Sequence, residues 1–236
     1  FVDRRKMMAK RVLVVAAHPD DEVLGVGGTI LRHTAQGDRV RILIMAEGLT
    51  SRAGQSDVDQ FHVALEELHD KAKKVGDILG AENVQLFNFP DNRMDSRELL
   101  DVVKAVEGEV DQFLPDVVYT HHAGDVNVDH TYTHNAVVTA CRSLPGQCVK
   151  ELYFFETPSS TEWQMQTVDK VFLPHMYVDI AEMFSKKMQA LELYDSEMRD
   201  YPHSRSYKAV EILARYRGYA AGIALAEAFS VGRIIR

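Results

Sequence analysis

"RVLVVAAHPDDEVLGVGGTILRHTAQG" (residues 11–37) decides the fold. Residues 11–17 are a β-branched run of the kind a parallel strand buried on both faces requires. From Val23 the apolar residues fall at helical spacing as far as Gly37, a helix stop. A strand feeding a helix is the opening half of a βαβ unit, and the pattern recurs. Strands are predicted over 39–47, 84–89 and 116–122, with helices over 58–79, closed by Gly80, and 96–113. Further strands are expected over 151–157 and 170–180, and helices over 181–195 and 206–229. This alternation predicts an α/β fold: a Rossmann-like, mostly parallel sheet with helices on both faces, in a single domain.

Composition sets the outer limits. The 236 residues, 46% of them hydrophobic, suffice for an ordinary core. Prolines and glycines are scattered and no repeat or low-complexity tract marks a seam, so residues 11–236 are read as one domain and 1–10 as an N-terminal extension. That extension, "FVDRRKMMAK", is too charged for a signal peptide, and what precedes Met7 or Met8 is expected to be in part foreign to the natural chain. A net charge of −8 argues against a nucleic-acid partner or an anionic-membrane surface, and no apolar run is long enough for stable membrane insertion. Cys141 and Cys148 match neither a zinc pair nor a C-x-x-C motif. Two reduced thiols are expected, as in a cytoplasmic protein.

In such sheets ligands sit beyond the carboxyl ends of the strands. "HPDDE" (18–22), "EGLTSR" (47–52), "PDNRMD" (90–95) and "HHAGDVNVDHTYTH" (121–134) all follow predicted strands and share that rim. His18 and Asp21 flank a tight turn and can converge on one metal ion, and imidazole nitrogen with carboxylate oxygen suits Zn2+. His130 and His134, four apart, share one face of a helix, and each is a candidate third ligand. Asp20 then points elsewhere and is the candidate general base for a metal-activated water. Glu22 reads as a capping or supporting carboxylate. Acids in the first turn of an ordinary helix are the plainer reading of "HPDDE". A second His/Asp-rich loop after another strand of the same sheet weighs against it. Arg52 and Arg93, with Arg97 nearby, are candidates for holding a phosphate or carboxylate of a substrate.

"GVGG" (25–28) lacks the G-x-G-x-x-G spacing, and the acids before it stand where a pyrophosphate would lie. A dinucleotide site is rejected, and the glycines are expected to let the helix approach the sheet closely.

"AAHPDDE" (16–22), followed about a hundred residues later by "HHAGDVNVDH" (121–130), resembles the PIG-L (LmbE-like) family of zinc-dependent N-acetyl-sugar deacetylases. "PDNRMD" looks like a loop of that family, and "PHSRSYKAVEILARYRGYAAGIALAEAF" (202–229) is similar to the end of its bacterial members. The resemblance implies Zn2+ on His18, Asp21 and His130, Asp20 as general base and Asp129 as an acid orienting catalytic groups. The family's usual second motif is H-x-x-H, and here its first position is Asn127. Support of the oxyanion or leaving amine therefore falls to Asn127 or to His134, one helical turn beyond His130, with His121, His122 and His203 as weaker candidates. The implied reaction removes the N-acetyl group of a small N-acetylated sugar. The rim arginines lean the expectation toward a nucleotide-linked sugar of surface-glycan synthesis. The alternatives are a zinc hydrolase of another amide or ester, and an inactive metal-binding protein of the same fold. A homo-oligomer is compatible with the sequence.

Overall fold

In the computed structural model, which describes residues 9–48 and 58–236, the side chains of β1 (Arg11–Ala16) alternate between two cores. Val12 and Val14 pack on one face, Leu13 and Val15 on the other, as the two-residue period of a strand dictates. The chain continues through α1 (Asp21–Ala35), β2 (Arg39–Ala46), α2 (Val58–Leu79), β3 (Asn83–Phe89), α3 (Leu99–Phe113), β4 (Val117–His121), α4 (Val128–Ala140) and β5 (Glu151–Phe155). It ends with β6 (Met176–Asp179), α5 (Phe184–Glu192), α6 (Tyr207–Ala220) and β7 (Ala226–Ile234).

The seven strands of the described residues form one sheet in the order β3-β2-β1-β4-β5-β7-β6. β1 to β5 are parallel, and β7 runs antiparallel to both its neighbours. Helices α1, α2, α5 and α6 contribute to the first core, and α3 and α4 to the second. This is the single-domain, mostly parallel α/β architecture that the alternation predicts. The strand order reverses at β1, whose neighbours β2 and β4 are reached over opposite faces, so a crevice opens beyond the carboxyl ends of β1 and β4.

Two expected elements differ. The helix expected over 206–229 stops at Ala220, where Gly222 takes φ +73°. Residues 226–234 then form β7, slotted between β5 and β6, and Ala226, Ala228 and Phe229 are buried by that pairing rather than by a helix face. The strand expected over 170–180 is only Met176–Asp179, since Pro174 ahead of it offers no N–H to a ladder.

The "GVGG" glycines do bring α1 close to its neighbours. A side chain on Gly25 would enter the Phe155 ring, and a Cβ on Gly28 would lie 2.7 Å from Ile180. At the same place the backbone of α1 is bonded to side chains of β7 and α5. The buried Glu227 carboxylate accepts the N–H groups of Gly28 (2.8 Å) and Thr29 (2.7 Å). Buried Lys187 donates to the Leu24 carbonyl (2.9 Å) and to Glu227 (2.7 Å). An ion pair from α5 and β7 thus grips the backbone of α1 at Leu24, Gly28 and Thr29.

Candidate metal centre

The turn after β1 is held in a conformation that most side chains avoid. Asp20, the N-cap of α1, has φ 116°, a strained value for a residue with a Cβ. Three contacts keep it there. Its N–H donates to Glu22 Oε2 (3.0 Å), Tyr194 donates its hydroxyl to Glu22 Oε1 (2.9 Å), and Arg205 Nη1 donates to Asp20 Oδ2 (2.8 Å). On the other side of the crevice Asn127 caps α4, its Oδ1 accepting the Asp129 N–H (2.8 Å), so the first turn of that helix delivers Asp129 and His130.

Three ligand atoms converge where the two turns meet. His18 Nδ1, Asp21 Oδ2 and His130 Nε2 form a triangle with all three sides 3.2 Å. Ligands on a tetrahedral zinc at about 2.0–2.1 Å stand roughly 3.3–3.4 Å apart, so the triangle has the size such an ion demands. The outer nitrogens fix the tautomers. His18 Nε2 lies 3.0 Å from Asp129 and 3.2 Å from Asp91, and His130 Nδ1 lies 3.2 Å from Asp125. With each outer nitrogen donating to a carboxylate, the two inner nitrogens would be the ones to offer lone pairs to a metal ion. His121 is near as well, with Nε2 3.5 Å from Asp21, but that nitrogen accepts the Ala17 N–H (2.8 Å) and is spent.

The electrostatics of the cluster call for a cation. Burial alone would lower His130, yet Asp21 and Asp125 outweigh it and push the imidazole up to about 9. Burial would raise Asp21, and His130 and His18 instead hold it well below the usual carboxylate range. Asp20 goes the other way: burial pushes it up to about 7 against the opposing charge of Arg205. Asp21 and His130 are fully buried, and His18 keeps 11% of its side chain in contact with solvent. A cavity of about 60 Å³, large enough for several waters, is lined by His18, Asp20, Asn92, Asn127, Glu197 and Arg205 among others.

His18, Asp20, Asp21, Asn127, Asp129 and His130 are therefore brought together. His134 is not: its Nδ1 donates to the His121 carbonyl (2.8 Å), its ring packs on Phe154, and it does not line the cavity. Arg93 is exposed on the "PDNRMD" loop outside the cavity lining, and Arg52 lies outside the described residues. His122 Nε2 donates to the Lys170 carbonyl (2.9 Å), and His203 packs on Trp163. Arg205, Asp91 and Asp125 belong to the site without having been singled out from the sequence. Each sits inside a quoted motif, and Asp125, four residues from Asp129 in a His/Asp-rich loop, offered the clearest signal.

Residues 13–141, over half the chain, match the family model described as PIG-L, GlcNAc-PI de-N-acetylase. YaiS of Escherichia coli K12, described as an uncharacterised deacetylase, is 29% identical over 193 residues, covering 79% of this chain and 91% of its own. Diacetylchitobiose deacetylase of Thermococcus kodakarensis is 24% identical over 231 residues, covering 92% of this chain and 81% of its own. In fold, the chain is similar to the crystal structure of GalB, the 4-carboxy-2-hydroxymuconate hydratase of Pseudomonas putida KT2440 (TM-score 0.75, 22% identity, covering 96% of this chain and 98% of that one).

Proposed function

The chain belongs to the PIG-L family, and from that premise we propose that it is a zinc-dependent N-deacetylase that hydrolyses the acetamide of a small N-acetylated sugar. The observation that carries the reading is the 3.2 Å triangle of His18, Asp21 and His130 with Asp20 beside it. When bound there, zinc would supply Lewis acidity to the acetamide carbonyl and lower the pKa of a water toward about 7.

The chain's own residues do the rest. Asp20 Oδ2 is held by Arg205, while Oδ1 is buried with no hydrogen-bond partner among the described residues, so one oxygen of a fixed carboxylate is available to a proton. Asp20 takes the proton of the attacking water and delivers it to the departing amine nitrogen; acetate and a free amino sugar result. Asn127 and Arg205 both line the cavity and are the donors assigned to the oxygen on which negative charge develops. Asp91, Asp125 and Asp129 hold the two imidazoles in orientation.

The sugar assignment draws on the family description and on the diacetylchitobiose deacetylase relative. A nucleotide-linked form of the substrate draws only on Arg52 and Arg93, and fails if Arg52→Ala and Arg93→Ala leave the KM for a nucleotide sugar unchanged. The test of the main reading is release of free amine from a panel of acetamido sugars by zinc-loaded protein. Turnover of at least one, abolished by Asp20→Asn, supports it. A second reading, water chemistry on another amide, an ester or an unsaturated acid, draws on Asn127 in place of the usual histidine and on the GalB fold. It gains if every acetamido sugar fails while a simple ester, amide or alkene acid reacts.

A further inference from the structure

We propose that Trp163 is the platform on which the pyranose ring of the substrate stacks; the inference rests on the acetamido-sugar reading and adds the residue that positions the ring. Trp163 is the only tryptophan of the chain, and 56% of it is left in water. An indole exposed to that extent forgoes much of the stabilisation its burial would bring.

The turn that carries it is tied down by hydrogen bonds on both sides of the indole. In the turn after β5 the Thr157 N–H donates to Thr161 Oγ1 (2.8 Å) and the Ser159 N–H to Glu162 Oε1 (2.7 Å). Just past the indole, Gln164 Nε2 donates to the Asp125 carbonyl (3.2 Å).

Two strips of contacts tie this indole to the metal centre. On one side Ser160 and Thr161 donate their hydroxyls to the Asp125 carboxylate, which stands 3.2 Å from His130 Nδ1. On the other, the indole packs on the His203 ring, centroids 5.4 Å apart at 80°. His203 Nδ1 accepts the Arg205 N–H (3.0 Å), and Arg205 holds Asp20. Trp163 thus stands where the loop that supports a metal ligand meets the loop that supports the base. A near-perpendicular ring contact occupies at most one face of the indole. Trp163 is outside the lining of the polar cavity and is joined through His203 to Arg205, which lines it. The remaining face would take the apolar C–H side of a pyranose whose acetamide extends past Arg205 to His18, Asp20 and Asn127. Because the turn that carries the indole is already tied down, stacking on it costs less ordering entropy than stacking on a loose loop.

A ring that stays stacked while its acetamide reacts gains equally in the ground and transition states, so the contact acts on KM and not on kcat. The test uses zinc-loaded enzyme and N-acetylglucosamine or N,N'-diacetylchitobiose, whichever is turned over. Trp163→Ala is expected to raise KM about three- to tenfold with kcat within about twofold and zinc content unchanged, and Trp163→Phe to recover most of the loss. In the wild type, emission of the single tryptophan should change saturably with a midpoint that follows KM. An unchanged KM in Trp163→Ala, with emission indifferent to a sugar that is turned over, overturns the platform and leaves the deacetylase reading standing. Absence of turnover of any acetamido sugar by wild-type enzyme overturns both. A KM that stays put while Trp163→Ala changes the oligomeric state assigns the indole to an interface and likewise overturns the proposal.

Discussion

His18 and His130 are each held from behind by carboxylates, and that is where single substitutions should be most informative. Asp125→Ala and Asp129→Ala remove the groups that orient the imidazoles, not the ligands themselves. Each is expected to weaken zinc binding by about 10–100-fold, measured by competition with a chromogenic chelator. Asp20→Asn should keep its zinc and lose about 10²–10⁴ in kcat, since it removes a proton acceptor and no ligand. The residues that meet at the candidate site were legible in the sequence because a second His/Asp-rich loop follows another strand of the same sheet, which capping of one helix does not explain. Arg205 was not: its partner Asp20 lies 185 residues away, and a lone arginine near the end of a chain looks like any solvated cation. His134 has the right spacing for the cavity, one helical turn from His130. What periodicity cannot show is that the carbonyl ending β4 takes up its Nδ1.

Among the elements, α1 depends on a salt bridge made by two others. Lys187→Met leaves the Glu227 carboxylate buried without its cation, and removal of one partner of such a pair typically costs about 3–5 kcal/mol. Many buried pairs can be replaced together by apolar residues at little cost. Here the combination Lys187→Met with Glu227→Leu should recover only part of the loss, because it also removes the carboxylate that accepts the Gly28 and Thr29 N–H groups and the ammonium that donates to the Leu24 carbonyl. Urea unfolding of the two variants checks this, and a double variant as stable as wild type would contradict it. The strands β1 to β5 and the helices between them were readable from alternating periodicities. β7 was not, since "ALAEAF" suits a helix as well as a strand and only pairing with β5 and β6 decides between them. No helix among the described residues is long and apolar enough to cross a membrane, in line with the sequence.

At the scale of the whole molecule, stability and activity sit at different places and should respond to pH separately. His33, at the far end of α1, is buried against Asp38 and the Tyr119 hydroxyl, and burial lowers its pKa below the ordinary 6.5 despite Asp38. The folded protein therefore holds His33 neutral where the unfolded chain takes up a proton. Its contribution to stability is present above pH 6.5 and is lost as pH falls through that value toward its own lower pKa. Thermal unfolding at pH 7.5 and 5.5 should show a smaller drop in Tm for His33→Gln than for wild type, with zinc content unaltered in both.

The strand order explains why the remote motifs meet. Reversal at β1 opens one crevice between β1 and β4, and the two His/Asp-rich turns are the ones that follow those strands. The central claim is that this crevice holds one zinc on His18, Asp21 and His130. Bound metal per chain, by elemental analysis after zinc loading and desalting, tests it most directly. About one zinc is expected in the wild type and in His134→Ala and none in His130→Ala, the count a three-ligand site requires. A wild type that binds no metal, or a His130→Ala protein that keeps its full complement, would contradict it.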